Sequence, residues 1–496
     1  EAETTAAVQT EAGGEKNLVM PSASCVANLN PLLEGYKEAA MLNPIYDPLY
    51  VIDVNETRYY LADSYEVSED GMQITVKLKE GLKWHDGEAI TADDMIFTMD
   101  VCSDTNNGAG GTNIVILNDQ PVKYEKVDDL TVKVTLPMAS ASYADLLGGL
   151  TLIPEHVFEG NPSVVSAGEA NMKGIGSGPY KVTEFKQDEY LLLEKYEDYY
   201  MGAPSIDKVT FRIISDLSAQ EVALMNGEVN FMELANAPAV AKYEADPNFT
   251  VVKYPEGRVN YLAVNKFCET VQDPKVVEAV FAALNRDEII AGAYGDGMAE
   301  SANSIFSNVN TFYDPSVEGY TQDVEKAKQL VKETGLDSKT LTLYFNSERV
   351  YMKESAQIIQ QQLKNVGINL EVIPLESAGF FEKVFGTDGD YEFYLNGYGA
   401  VGDPDQVVAG MYDGTWGVNL AVSDEVSQLW KDARTVYTPE ERAAIYKQIQ
   451  IQTRDELTCY PIAYPNYVFV TTSNIKGADT IKRTPVFEDY TKLTME

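Results

Sequence analysis

Residues 341–372 read LTLYFNSERVYMKESAQIIQQQLKNVGINLEV. The stretch opens with Leu341–Phe345, an apolar run of strand length. Met352, Ala356, Ile359, Leu363 and Val366 then recur at three- and four-residue steps, the stripe of an amphipathic helix. Gly367 follows at the C′ position, where a left-handed residue ends a helix. Ile368, Leu370 and Val372 alternate with Asn369 and Glu371, the period of a half-buried strand. Strand, helix and strand in this order make a β-α-β unit, whose strands run parallel through a right-handed crossover. The fold class is therefore α/β.

Outward from this unit the patterns change. Leu18-Val19-Met20 predicts a short strand. Asp70-Gly71 is a hairpin signal, and beyond it Ile74, Val76 and Leu78 alternate with Thr75, Lys77 and Lys79. Leu130, Val132, Val134 and Leu136 repeat that alternation. Between these strands Thr91 caps a helix, with Asp94 standing in for the Glu of a capping box. Ala92, Met95, Ile96 and Met99 form its apolar face. A later helix starts at Thr438-Pro439-Glu440-Glu441, with Thr as cap, Pro at N1 and Glu at N3. Trp430 shares a helical stripe with Val426 and Leu429 and reads as core.

With 496 residues the chain exceeds a single core. Its 45% hydrophobic and 23% charged residues are those of a globular protein. The 77 acidic and 38 basic side chains leave a net charge of −39, which repels phosphate backbones and anionic bilayers. Nucleic acid is excluded as a partner on that ground. The same charge serves solubility or steers cationic solutes. No segment reaches the roughly 20 apolar residues of a membrane span. The start at Glu1 reads as mature or trimmed. Residues 1–16 read as a flexible tether reaching about 20 Å, a spacer between a lipid anchor and the folded body. The four cysteines, Cys25, Cys102, Cys268 and Cys459, have no CxxC spacing. They allow two disulfides in any of three pairings, or buried free thiols.

Catalytic chemistry is missing. Only two histidines exist, His85 and His156. His85 lies in the turn Trp84-His85-Asp86-Gly87 and reads as structural. Histidine-rich metal sites are excluded by count. Gly174-Ile175-Gly176-Ser177-Gly178-Pro179 is glycine-rich, but a strand follows it where a phosphate cradle needs a helix. Asp388-Gly389-Asp390 and Asp403-Pro404-Asp405 lack the pattern of a calcium loop. Binding is favoured over catalysis, and an enzyme would need a buried carboxylate pair or triad in a cleft.

Several segments, in order, resemble one family. Leu61-Ala62-Asp63-Ser64-Tyr65 leads to Asp70-Gly71, then Leu78-Lys79-Glu80-Gly81-Leu82-Lys83-Trp84-His85-Asp86-Gly87-Glu88, then Ile90-Thr91-Ala92-Asp93-Asp94. Gly176-Ser177-Gly178-Pro179-Tyr180, the segment Val276 to Ile290 with Asn285-Arg286, and Asp403-Pro404-Asp405 complete the set. Together they are similar to the family 5 extracellular solute-binding proteins of ABC importers, which include the oligopeptide- and dipeptide-binding proteins. The resemblance implies a two-lobed periplasmic-binding-protein (Venus flytrap) fold. Lobe I would hold 17–258 and 466–496, with the extra subdomain of the peptide-binding branch at 45–175. Lobe II would hold 259–465. The crossings near 258–265 and 464–467 would form a hinge.

The implied function is capture of a short peptide between the lobes and delivery to the permease of the importer. No cofactor, metal or catalysis is implied, and the His85 turn and Thr91 cap become scaffold. The protein would act as a monomer, on the outer face of the cell membrane through a lipid anchor, or in the periplasm. By position, one peptide-pairing strand would be Ser24-Cys25-Val26-Ala27 and the other Asn396-Gly397-Tyr398-Gly399-Ala400. Arg258 and Arg349 are candidates for a ligand carboxylate, because a guanidinium grips it bidentately. Trp416, in Gly414-Thr415-Trp416-Gly417, is placed to stack on a ligand or in the core. There is one departure. Relatives carry an aspartate for the peptide's ammonium before the Asp-Pro-Asp loop, where this chain has Gly399-Ala400-Val401-Gly402. Asp403 and Asp405 are the remaining acids there. The 31 tyrosines keep oligosaccharides open as an alternative ligand. Nickel carriage fits poorly with two histidines, and haem carriage stays open.

Overall fold

A computed structural model of the chain describes residues 14–33, 39–52, 56–163, 168–399, 401–413, 420–481 and 489–496. Most of the expected tether, together with Ala400 and Trp416, lies outside the described residues. The chain divides into two compact units. The first holds the described residues up to Lys253 together with Val468–Glu496, and the second holds Tyr254–Tyr467.

The main strands of the first unit include β1 (Asn17–Ser22), β2 (Ala62–Val67), β3 (Gln73–Leu78), β4 (Lys123–Asp128), β5 (Thr131–Thr135), β6 (Tyr180–Lys186), β7 (Tyr190–Lys195) and β8 (Lys208–Ile213). They form two sheets, ordered β1-β8-β7-β6 and β2-β3-β5-β4. The second sheet is antiparallel throughout, and its inward residues Ile74, Val76, Val132 and Val134 are buried. Helix α1 (Ala92–Ser103) contributes Met95, Met99 and Val101 to the same core. Its capping box is complete: Asp94 accepts from the Thr91 N–H at 2.9 Å, and Thr91 Oγ1 accepts from the Asp93 N–H at 3.2 Å. The aspartate suffices because it also accepts from the Glu155 N–H at 3.0 Å, which makes it a junction as well as a cap.

His85 is a clip between two turns. Its Nε2 bonds the Gly178 carbonyl at 2.9 Å and its Nδ1 accepts from the Gly176 N–H at 3.2 Å. This fixes the ring neutral, and burial lowers its pKa to about 4. The glycine turn it holds runs against the backbone of Pro44 and Ile45. A Cβ on Gly176 would stand 2.0 Å from the Ile45 carbonyl oxygen, so only glycine fits.

Asp47 is fully buried in this unit, with Tyr199 and Tyr200 donating to Oδ2 at 2.8 and 2.7 Å and, among the described residues, nothing bonded to Oδ1. Burial raises its pKa to about 7. The tyrosine hydroxyls and Lys79 oppose that rise, and Asp489 adds to it. A carboxyl with a folded value above its unfolded one binds more protons when folded. The first unit should therefore lose stability as pH rises from about 4 to about 7, by at most about 4 kcal/mol. Thermal melts across pH 4–8 test this, and Asp47→Asn should flatten the profile. An unchanged profile in the variant would rule out Asp47 as its source.

The second unit contains β9 (Arg258–Val264), α2 (Pro274–Ala283), β10 (Thr340–Asn346), α3 (Val350–Asn365), β11 (Asn369–Leu375), α4 (Ser377–Val384), β12 (Phe393–Gly399), α5 (Asp424–Ala433), α6 (Pro439–Asp455) and β13 (Cys459–Thr472). β13 continues past Tyr467 into the first unit. Within the second unit the strand order is β13-β9-β12-β10-β11. β10 is parallel to both β11 and β12, so the β-α-β reading of 341–372 holds, with Gly367 at φ +92° ending α3.

Alternate residues of the sheet feed two cores. Leu262, Leu343 and Leu395 meet α2 and α3 on one face. Tyr261, Tyr394 and Tyr398 meet Trp430 and Tyr446 on the other. Trp430 is fully buried, as its stripe predicts. Thr438 precedes Pro439 at N1, but its hydroxyl makes no capping bond. The four cysteines are all free thiols, so no disulfide forms; Cys102, Cys268 and Cys459 are buried and Cys25 is half-buried.

Candidate functional site

In open α/β sheets the carboxyl ends of the strands are where ligands bind. In the second unit β10 ends at Asn346, and Arg349 is the N-cap of α3. A cavity of about 190 Å3 opens there. Its polar wall is Arg258, Asn346, Arg349 and Asn396, and its apolar wall includes Tyr351, Met352, Phe380, Phe381, Phe385 and Met411. Gly397 and Tyr398 of β12 complete it, and no carboxylate is among the lining residues.

The two expected arginines meet in this cavity but differ. Arg258 Nε bonds Glu256 Oε1 at 2.9 Å, and its Nη1 donates to the Gly397 carbonyl at 3.1 Å. Its charge is therefore compensated. Arg349 is exposed, and among the described residues it pairs with no carboxylate, unlike Arg258, Arg434 and Arg442. No side chain caps α3, whose first-turn N–H groups add positive potential beside Arg349. The site thus offers one uncompensated guanidinium and a helix N-terminus to an anion.

Behind it stands an ordered wall. Gly397 lies opposite Asn260 in the β9–β12 ladder, and a Cβ there would come within 2.0 Å of Asn260 Oδ1. Asn260 Nδ2 donates to the Tyr294 hydroxyl at 2.8 Å. Tyr294 stacks on Tyr351 with ring centroids 5.3 Å apart. Burial raises the Tyr351 phenol above its ordinary value, while Arg258 and Arg349 pull it down.

Among the described residues, one edge of β12 lacks a strand partner over most of its length. β12 pairs with β9 over its whole length, from Phe393↔Val264 to Gly399↔Arg258. On its other side β10 meets it only at Phe393 and Tyr394. Among the described residues no strand covers that edge from Leu395 to Gly399. Its backbone groups can pair with an extended chain, as exposed strand edges do.

The other expected residues fall elsewhere. Asp403 is buried and receives both arms of Arg442, at 2.5 Å on Oδ2 and 3.0 Å on Oδ1, with the Tyr446 hydroxyl 3.3 Å away. Asp405 is held by Arg434 at 2.5 Å, which also binds Asp413. Both acids are thus occupied by the protein's own cations, and neither lines the cavity. Tyr398 turns its ring to the cavity but spends its hydroxyl on the Ile305 carbonyl at 2.6 Å and on Tyr412. Gly399 ends β12, exposed. Ser24-Cys25-Val26-Ala27, in the first unit, follows β1 as irregular chain with Val26 buried. The sequence reading missed Tyr351, Phe381 and Phe385. A trace existed, since α4 carries two apolar pairs, Phe380/Val384 and Phe381/Phe385, where one stripe satisfies a core.

Comparison with known proteins identifies the fold. The pattern of the bacterial extracellular solute-binding proteins, family 5 Middle, matches residues 56–419. The structure of the ABC transporter substrate-binding protein CtaP from Listeria monocytogenes superposes with a TM-score of 0.89 at 34% identity, covering 97% of this chain and 99% of that one. The oligopeptide-binding protein AppA from Bacillus subtilis, solved in complex with a nonapeptide, gives a TM-score of 0.74 at 26% identity, covering 97% of this chain and 99% of that one. The dipeptide-binding protein of Escherichia coli is 27% identical over 93% of this chain and 92% of its own length.

Proposed function

The chain belongs to the bacterial extracellular solute-binding proteins of family 5, and from that membership we propose that it captures short peptides outside the cell and passes them to the permease of an ABC importer. The observation that carries the reading is the edge of β12 beside Arg349 that lacks a strand partner among the described residues. The edge would pair with a peptide main chain whatever its sequence. Arg349 and the α3 N-terminus would hold its carboxylate. Arg258, already tied to Glu256 and the Gly397 carbonyl, would line the same cavity with its charge compensated. Relatives that bind a dipeptide and a nonapeptide support the same class of ligand.

An oligosaccharide would need aromatic faces rather than strand edges, so the peptide reading is preferred. Ser24–Ala27 remains our proposal for a second pairing segment. The two chain crossings, next to Tyr254 and Val468, are proposed as the hinge. Ligand that binds the closed form better would shift the population toward it. The proposed role is carriage without turnover, by a monomer. Titration calorimetry with di- to hexapeptides tests it: saturable heats with free-carboxylate peptides are expected. Silence across the set, with heats from oligosaccharides, would reverse the choice.

A further inference from the structure

We propose that the cavity beside Arg349 is a selectivity pocket for one bulky apolar side chain, so that this carrier prefers peptides containing Leu, Met or Phe. The inference rests on the peptide reading and refines it. Its starting point is a pair of largely exposed rings, of which Phe381 meets the buried Phe380 edge-on with centroids 5.4 Å apart. Phe381 and Phe385 are 41% and 47% exposed, with centroids 6.1 Å apart. The core duty of α4 is met by Phe380 and Val384, both fully buried. Exposed aromatic surface next to a concavity marks a binding site more often than chance exposure does.

The floor agrees. Met352, Met411 and Phe380 are buried yet line the cavity. Methionines adapt their shape to different apolar guests. The size decides the kind of guest. A cavity of about 190 Å3 is below the roughly 300–1,000 Å3 that encloses a whole drug-sized ligand, but it accommodates a single large side chain.

Apart from Arg349, which the peptide reading assigns to a carboxylate, polar groups of the wall are engaged from within. Asn346 donates to Ser377 Oγ at 2.9 Å and accepts from the Glu348 N–H at 3.0 Å. The Tyr398 hydroxyl is spent on Ile305. Polar side chains of a guest would thus find few open partners. Lys or Arg side chains would also face Arg258 and Arg349 with no lining carboxylate to receive them.

The test is calorimetry on the full chain with trialanine and with tripeptides in which one alanine, at each position in turn, is replaced by Leu, Phe, Met or Lys. At one position the apolar replacements should bind about tenfold or more tighter than trialanine, and the Lys replacement weaker. The Phe381→Ser/Phe385→Ser double variant should compress that ratio at least threefold. Both rings are exposed, so a thermal melt should show the variant folded. Equal affinity for all tripeptides, or an undiminished ratio in the folded variant, overturns the pocket while leaving peptide capture standing. Silence of every tripeptide overturns the pocket, and silence extending to the di- to hexapeptide set overturns peptide capture as well.

Discussion

Arg349→Met should weaken binding of a free-carboxylate peptide by about 10- to 150-fold, the range of a lost charge-assisted hydrogen bond. The melting temperature should barely move, because Arg349 is exposed and forms no ion pair among the described residues. A carboxamide version of the same peptide separates the roles. It should bind wild type as weakly as the acid binds the variant, and Arg349→Met should then cost little more. Equal losses for acid and amide in the variant would mean that the guanidinium meets some other part of the ligand. Arg258→Met is the contrasting case. Removing it frees Glu256 and the Gly397 carbonyl, so its effect should appear in stability as well as affinity.

The second large effect concerns stability. Asp403→Ala should destabilise the second unit by about 3–5 kcal/mol, because it strands a buried guanidinium. In a unit of this size that lowers the melting temperature by on the order of 10 °C. Among the described residues, Arg442 would keep the Ala433 carbonyl at 3.2 Å, the Tyr446 hydroxyl, the rings of Phe312 and Tyr446 and the more distant charge of Asp405. Replacing both partners with Leu should recover much of the loss, since a buried ion pair seldom outperforms apolar packing. If Asp403→Ala instead keeps its melting temperature and loses peptide affinity, the aspartate is a ligand contact and the structural assignment fails.

These two cases mark where sequence reasoning reaches and where it stops. The β-α-β unit was legible because helix and strand periods leave local marks, from Met352 to Val372, and because Gly367 signs the turn. The Thr91 box was legible for the same reason, since its partners lie within three residues. Asp403 was not. Its partner Arg442 lies 39 residues away, and no local pattern separates an acid held by a distant arginine from one awaiting an ammonium. The difference between Arg258 and Arg349 was half legible, since Glu256 stands two residues before Arg258. The aromatic wall was hidden by its own composition. Phe381 and Phe385 look like core in any pattern, and only the packing of Phe380 and Val384 shows that the core was already full.

Leaving the four sulfurs unlinked has a practical side. Cys102 and Cys459 are pushed up to about 12 by burial, and Cys268 is raised as well. At neutral pH a group near that value is ionised in about one molecule in 100,000. Oxidants and alkylating dyes attack the ionised form, so Cys102 and Cys459 should react far more slowly than an ordinary thiol in the native molecule. A maleimide fluorophore should therefore favour the half-buried Cys25 over the three buried thiols. That position lies within the Ser24–Ala27 segment proposed above to pair with peptide, so a change in the dye's signal on adding peptide would test that assignment without any engineered residue.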